Sequence, residues 1–129
     1  MGPRLASTSN GRLLQVLAIG HAGVGALIYR RELRRFGARP LLGAASFRGR
    51  EAPAFWFFVN TPLLLIVGGL LHRAEDNGDT AALRNTSGFG LAASLPAAFF
   101  LPRSGFWVWA IVSLRGLRDA HRLSRRHRA

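Results

Sequence analysis

Charged and apolar residues occupy separate stretches of this chain. Residues 13–29 and 52–71 contain no Asp, Glu, Lys or Arg, and the same holds for residues 86–101 and 105–114. A helix needs about 20 mainly apolar residues to cross a hydrocarbon core about 30 Å thick. The pattern therefore predicts an all-α polytopic membrane protein, a four-helix transmembrane bundle in one domain over residues 1–129. The spans are expected at about residues 13–29, 53–71, 86–101 and 105–121, with a basic C-terminal tail over 115–129.

The junction between the third and fourth segments decides how often the chain crosses. Leu101-Pro102-Arg103-Ser104-Gly105 has the Pro and Gly of a tight turn, which predicts a helical hairpin. One helix over 86–114 would be about 43 Å long at 1.5 Å per residue, which exceeds the hydrocarbon core. Four spans are therefore preferred. A three-span chain with its N-terminus outside fits the positive-inside rule better, and orientation stays open.

The arginine-rich segments indicate the partner of the protein. Hydrophobic residues make up 49% of the chain although its net charge is +12, and all 18 basic residues are arginine. The basic segments 30–39 and 115–128 adjoin apolar spans directly. Attraction to anionic headgroups, about 1 kcal/mol per Arg near the surface, accounts for them. No nucleic-acid-binding motif accompanies them, so the lipid bilayer of a bacterial cell is the predicted partner and location.

Cofactor chemistry has little support in the composition. The chain has no cysteine, which excludes disulfides, thiolate catalysis and iron–sulfur clusters. Of the four histidines, His121 and His127 are the closest pair, yet they are six residues apart in an Arg-rich segment that would repel a cation. No nucleotide-binding or metalloprotease motif is present. Neither a metal nor a cofactor is predicted.

Two polar residues lie near the middle of predicted spans: His21 in the first and Asn60 in the second. Both should face the bundle interior, because an unsatisfied polar group in hydrocarbon costs several kcal/mol. One hypothesis makes His21 a proton donor or acceptor that Asn60 orients, in a pocket for a lipophilic small molecule. The other makes both residues interhelical hydrogen-bonding groups. Candidates for contact with a bound molecule are Gln15, Trp56, Thr61 and Ser94.

Small residues in the first span predict close helix packing. Ala18, Ala22 and Ala26 recur every fourth residue, beside Gly23 and Gly25. Such a face lets another helix approach closely. An intramolecular partner is the default interpretation, and a homo-oligomer or another membrane protein is the alternative.

Short aromatic motifs support the four-helix prediction. His21, the run Ala54-Phe55-Trp56-Phe57, and the run Pro102-Arg103-Ser104-Gly105-Phe106-Trp107 open or mark three of the spans. In these motifs the chain resembles a bacterial family of small four-helix integral membrane proteins of unknown function, over about residues 14–114. It departs from that family in its long Arg-rich tail and at Asn60-Thr61-Pro62. The resemblance implies four helices and no particular reaction.

Three functional hypotheses follow. A non-catalytic accessory or structural component of the membrane fits the lack of a recognisable catalytic constellation. A small membrane enzyme, of isomerase or cyclase type, would use His21 and Asn60 on a lipid- or terpenoid-like substrate. A channel or transporter is least favoured, because the spans contain no buried charge to form an ion path.

Overall fold

The computed structural model describes residues 9–37, 51–102 and 104–126, and the regular elements in this part of the chain are all α-helices, without a strand. The all-α prediction is confirmed. Residues 38–39 of the first basic segment, Arg103 of the predicted turn and residues 127–129 of the tail lie outside the described residues. The helices are α1 (Asn10–Ile28), α2 (Arg30–Gly37), α3 (Glu51–Asn77), α4 (Thr80–Phe100) and α5 (Phe106–Arg126).

The four long helices form an antiparallel bundle made of two tight pairs. α1 packs against α3 and α4 against α5 over the most extensive interfaces, while α3–α4 and α1–α5 contacts close the ring. The ends of the bundle differ in chemistry. The polar end holds the start of α1, the end of α3, the start of α4 and the end of α5; the opposite, aromatic end includes Trp56, Phe57, Phe99 and Trp107.

The turn between α3 and α4 consists of Gly78 and Asp79. Gly78 has a φ of 64°, a left-handed conformation that glycine adopts without steric cost. The Asp79 N–H donates to the Ala74 carbonyl at 3.0 Å, which closes α3. The Asp79 carboxylate accepts the N–H groups of Ala81 and Ala82 and so caps α4. This short turn forces α4 back along α3.

Glycines bring α1 and α3 close together. Gly11 and Gly68 lie against each other, and a Cβ on Gly11 would lie 2.5 Å from the Gly68 carbonyl oxygen. Gly25 leaves room for the Phe57 ring, whose Cε1 would lie 2.5 Å from a Cβ there. The α1 contacts at Gly11, Ala18 and Gly25 recur every seventh residue, the spacing of left-handed helix packing.

This seven-residue spacing changes one sequence-based interpretation. Of the face formed by Ala18, Ala22 and Ala26, Ala18 is fully buried, whereas Ala26 is exposed. Contacts between α1 and α3 recur about every 3.5 residues on average. The interface therefore does not follow a row of residues that are four apart in the sequence. Gly20 and Gly23 lie outside it, with nothing within 4 Å of a Cβ at either position.

The α4–α5 interface is built from small polar residues and glycine. Ser87, Ser94 and Ser113 are at most 3% exposed. A Cβ on Gly116 would lie 2.1 Å from the Ser87 hydroxyl oxygen, and one on Gly90 would lie 2.6 Å from that of Ser113. Close backbone approach of this kind is characteristic of helices that pair in lipid.

The helices differ from the predicted spans in their ends. α3 continues six residues past Leu71, through Asn77, and α5 continues through Arg126, where a tail was predicted from residue 115. Arg, Leu and Ala are good helix formers, so positive charge alone does not end a helix. The basic residues after the first span form a short additional helix, α2, that was not predicted.

Two helices of the described chain, α1 and α3, are long and apolar enough to cross a membrane. α4 and α5 are less apolar: α4 contains Arg84 and several small polar residues, and α5 carries Arg115, Arg118 and Asp119. Many large apolar side chains point outward from the bundle. They include Leu27, Phe89, Phe99 and Phe100, which are 76%, 78%, 70% and 86% exposed.

Candidate functional site

A polar cluster of described residues joins α1, α3 and α5 at the polar end, and its centre is Glu75. Its Oε1 accepts the Asn10 N–H at 2.9 Å, and its Oε2 accepts the Gly11 N–H at 3.2 Å and the Ser9 hydroxyl at 2.5 Å. The first N–H groups of a helix have no partner within the helix, and a carboxylate there also interacts favourably with the helix dipole. Glu75 therefore caps α1 from α3.

Ser9 and His72 extend this cluster. The Ser9 hydroxyl oxygen accepts the Arg12 N–H at 3.2 Å and lies 3.1 Å from His72 Nδ1. Since the Ser9 proton goes to Glu75, Nδ1 must carry a proton to complete the second bond. His72 Nε2 lies 3.5 Å from an Asp76 carboxylate oxygen. The chain of contacts from an acid to a histidine to a serine resembles the catalytic triad of a hydrolase. Here, however, the Ser9 hydroxyl donates to a carboxylate and accepts a backbone N–H, so Ser9 acts as a helix cap.

Asn10 connects the cluster to α5. Its Nδ2 donates to Asp119 at 2.9 Å, although the two residues are 109 positions apart. The Asn10 side chain is almost fully buried, and its Oδ1 has no hydrogen-bond partner among the described residues. The cluster formed by Ser9, Asn10, Gly11, His72, Glu75 and Asp119 is named the capping network below. It fixes three helix ends to one another.

His21 lies further along α1, at its contact with α3. Its Nε2 is 2.9 Å from the Phe57 carbonyl oxygen, so Nε2 carries the proton. Its ring stacks on the Phe57 ring with centroids 3.7 Å apart and planes 10° apart. Pro62 lies four residues after Phe58 in α3. Because proline has no N–H, the Phe58 carbonyl lacks its usual helical donor. His21 thus joins the two helices beside a weakened turn of α3.

Asn60 is engaged elsewhere. Its Nδ2 donates to the Trp56 carbonyl of its own helix at 3.0 Å. Within the described chain, no hydrogen bond joins Asn60 to His21; each side chain takes one of two successive carbonyls of α3, those of Trp56 and Phe57. The Trp56 side chain is 52% exposed, on the outside of the bundle.

The remaining candidate residues are dispersed. The Gln15 side chain covers Gly68, with its Cγ 2.8 Å from where a Cβ would lie. Ser94 is fully buried between α4 and α5, and its hydroxyl is 3.5 Å from the Leu91 carbonyl. The Thr61 hydroxyl is buried and has no hydrogen-bond partner among the described residues. These residues do not form one cluster with His21 and Asn60. No group of three or more His, Cys, Asp or Glu residues positioned to hold a metal ion occurs in the described segments.

A family model described as a family of unknown function (DUF6463) matches residues 6–122, most of the chain. The chain belongs to DUF6463. No curated protein and no solved structure matches it. The matched range of DUF6463 covers the four long helices almost completely and includes every member of the capping network, from Ser9 to Asp119.

Sequence reasoning missed the capping network of this DUF6463 chain. The predicted second span ended at residue 71 and left Glu75 outside it, whereas the structure places Glu75 within α3. One signal was present: Ala54, Thr61, Gly68 and Glu75 are spaced seven residues apart, which continues the α3 contact face to Glu75. The partner is the start of α1, 65 residues earlier; its N-cap Ser9 is a local signal for a helix start but gives no indication of a distant carboxylate.

Proposed function

We propose that this protein is a multi-pass integral protein of a bacterial cell membrane, in which α1, α3, α4 and α5 cross the bilayer. The observation that carries the proposal is the exposure of its apolar helices. Only 22% of the most apolar stretch of α1, and the same share of α3, is buried within the protein. A core helix of a water-soluble protein buries most of its apolar surface, and exposed apolar patches of this extent require a cover. Lipid supplies that cover on all sides.

The connections support a crossing by α4 and α5 as well. A two-residue turn returns α4 along α3, so α4 enters the same layer as α3. α5 then packs along α4, and Gly116 lies beside Ser87 and within reach of Leu71. Arg115 therefore lies near the level at which the apolar run of α3 ends, where its side chain reaches the headgroup layer.

The basic helix α2 belongs at the membrane surface in this proposal. It carries Arg30, Arg31, Arg34 and Arg35, and Arg35 lies 3.7 Å from Glu51 at the start of α3. A short, basic, amphipathic helix next to a span is a favourable partner for anionic headgroups. The arginines at the end of α5 contact anionic headgroups on the other side of the bilayer in this proposal.

Within the membrane, a non-catalytic structural or accessory role is the function that the polar contacts support best. Two polar arrangements between helices, the capping network and the His21–Phe57 contact, both hold helices together. Membrane helices commonly use such bonds for association. The role is tested by incubating the purified protein with lipid extracts; turnover that His21→Ala abolishes would replace it with the enzyme hypothesis.

The enzyme hypothesis retains one supporting observation. The Thr61 hydroxyl is buried without a partner in the described chain, and Thr61 lies one helical turn along α3 from Phe57, the partner of His21. An unpaired buried hydroxyl one helical turn from the residue that His21 contacts is a place where a polar group of a lipophilic substrate would bind. Turnover by the Thr61→Val variant at the wild-type rate would remove this support.

The topology is tested by cysteine labelling, since the chain has no native cysteine. Single variants Asn77→Cys, Ser104→Cys and Ser124→Cys are treated in intact cells with a membrane-impermeant maleimide, and Phe89→Cys serves as the lipid-embedded control. Four spans place positions 77 and 124 on one side and position 104 on the other. Equal labelling at all four positions, or release of the protein by alkaline carbonate, would refute a multi-pass arrangement.

A further inference from the structure

The structure contains a cavity of about 280 Å³ between the start of α4 and the end of α5. It is lined by Thr80, Ala81 and Arg84 of α4 and by Leu117, Ala120, His121 and Ser124 of α5. The two alanines leave the space, because their side chains are too short to fill the gap between the helices. Arg84, His121 and Thr80 supply polar groups at its wall.

We propose that this cavity binds the phosphate group of an anionic phospholipid. The inference rests on the membrane location proposed above, which puts the polar end of the bundle in the headgroup layer. A guanidinium group offers several N–H donors in a fixed plane, which matches the oxygens of a phosphate. The Thr80 hydroxyl and the His121 ring add further hydrogen-bonding groups. The Ser124 hydroxyl already donates to the His121 carbonyl at 2.9 Å. It therefore lines the cavity without a free proton for the phosphate.

Nearby acids do not neutralise Arg84. The Asp79 carboxylate accepts the N–H groups of Ala81 and Ala82, and Asp119 accepts from Asn10 on the side of α5 that faces α1. Two contacts between basic and acidic side chains occur in the described chain: the ion pair Arg35–Glu51, and His72–Asp76, which is an ion pair only when His72 is protonated. Arg84 thus presents its charge at the cavity without a carboxylate partner in the described residues.

The surface next to the cavity favours a lipid over free phosphate. Gly88, Leu91 and Leu95 follow Arg84 on the same face of α4, at i+4, i+7 and i+11. A Cβ on Gly88 would meet nothing within 4 Å, so the helix surface is open there, and Leu95 is 38% exposed. Leu114, 42% exposed, extends the α5 side one turn from Leu117. An acyl chain attached to a phosphate in the cavity would run along this apolar surface into the bilayer.

The test is a titration of the full chain in a non-ionic detergent with dioctanoyl phosphatidylglycerol, followed by calorimetry or native mass spectrometry. We expect saturable binding at one site. Arg84→Gln should weaken it about tenfold or more, because the substitution removes the charge-assisted hydrogen bonds that the guanidinium group donates to the phosphate. Ala81→Trp, which fills the cavity and keeps every charge, should have at least the same effect. Arg73→Gln is the matched control, with the same change in charge on an exposed arginine of α3.

Two further arms identify the ligand's source. Inorganic phosphate and the deacylated headgroup glycerophosphoglycerol should bind more weakly than the lipid, and Gly88→Leu should weaken lipid binding alone. Phosphate binding as tight as the lipid would overturn the lipid assignment. An equal loss in Arg73→Gln and Arg84→Gln, or no saturable binding, would overturn the site. Cysteine labelling tests the membrane location separately. If the protein spans the bilayer but shows no binding in this titration, the lipid site is refuted and the membrane location stands.

Discussion

Gly11 and Gly68 face each other across the α1–α3 interface, and each leaves room for the backbone of the other. A Cβ on Gly11 would lie 2.3 Å from the His72 amide nitrogen, and one on Gly68 would lie 2.9 Å from the Gly11 carbonyl oxygen. Both neighbours are backbone atoms, which cannot move aside as a side chain can. The contact also sets the distance at which Glu75 reaches the start of α1.

Gly11→Ala should therefore destabilise the protein, by roughly 1–3 kcal/mol, the usual cost of overpacking a tight interface. Thermal unfolding in detergent, followed by circular dichroism, measures the change. Gly20→Ala is the control, since nothing lies within 4 Å of a Cβ there and alanine favours the helix by up to about 1 kcal/mol. A Gly11→Ala variant as stable as Gly20→Ala would show that α1 and α3 are further apart than described.

Glu75→Gln tests the capping network. Both carboxylate oxygens accept hydrogen bonds, whereas an amide replaces one acceptor with a donor that would face an N–H group. We expect a loss of about 1–3 kcal/mol in unfolding free energy, the cost of an unsatisfied buried group. Asp76→Asn, next in the sequence and with a side chain 65% exposed, should change stability little. Equal effects of the two substitutions would indicate a general loss of charge instead.

His21 allows its two contacts to be separated. His21→Phe keeps a ring on Phe57 and removes the bond to the Phe57 carbonyl, worth about 0.6 kcal/mol in typical membrane helices. His21→Ala removes the ring contact as well, which is worth about 0.5–1.5 kcal/mol more. Unfolding midpoints should therefore fall in the order wild type, His21→Phe, His21→Ala. If His21→Phe is as unstable as His21→Ala, the hydrogen bond accounts for the whole contribution.

Ser87 and Gly116 should be energetically coupled. Gly116→Ala puts a methyl group 2.1 Å from the present position of the Ser87 hydroxyl oxygen, so we expect destabilisation. Ser87→Ala alone should be neutral or stabilising, because its hydroxyl is buried without a partner in the described chain. In the double variant the hydroxyl clash is gone. A double-mutant cycle of unfolding free energies should give a coupling of about 0.5–3 kcal/mol, and strict additivity would contradict the contact.

The helices were predictable because charge marks where apolar runs begin and end. Arg30 follows the first run, Arg103 separates the third and fourth, and Pro102 and Gly105 indicate the break that the structure has between α4 and α5. The ends of α3 and α5 were harder to predict, since Arg and Glu are compatible with both a helix and a surface loop. A change from apolar to charged residues shows where the surroundings of the chain change. The end of a helix depends instead on where its backbone hydrogen bonding stops.

The polar contacts were less predictable than the helices. One of the two hypotheses for His21 was a hydrogen bond to another helix; His21 does bond α3, but its acceptor is a backbone carbonyl, which every residue of α3 possesses. Asn60 bonds its own helix instead of a neighbouring one. The rotation of each helix about its axis decides these pairings, and a rotation depends on packing against all neighbours at once. The identity of a residue and its position along the helix do not specify this rotation.

The two-residue turn at Gly78 and Asp79 has a consequence for biosynthesis. In the membrane topology proposed above, only two residues join α3 and α4, so one helix cannot cross the bilayer while the other stays far from it. That topology requires the nascent chain to deliver the two helices to the bilayer together, as a pair in which Asp79 already accepts the first N–H groups of α4. The unit of insertion is then the helical hairpin, and a longer linker at Gly78 would change the order of assembly before it changed the finished protein.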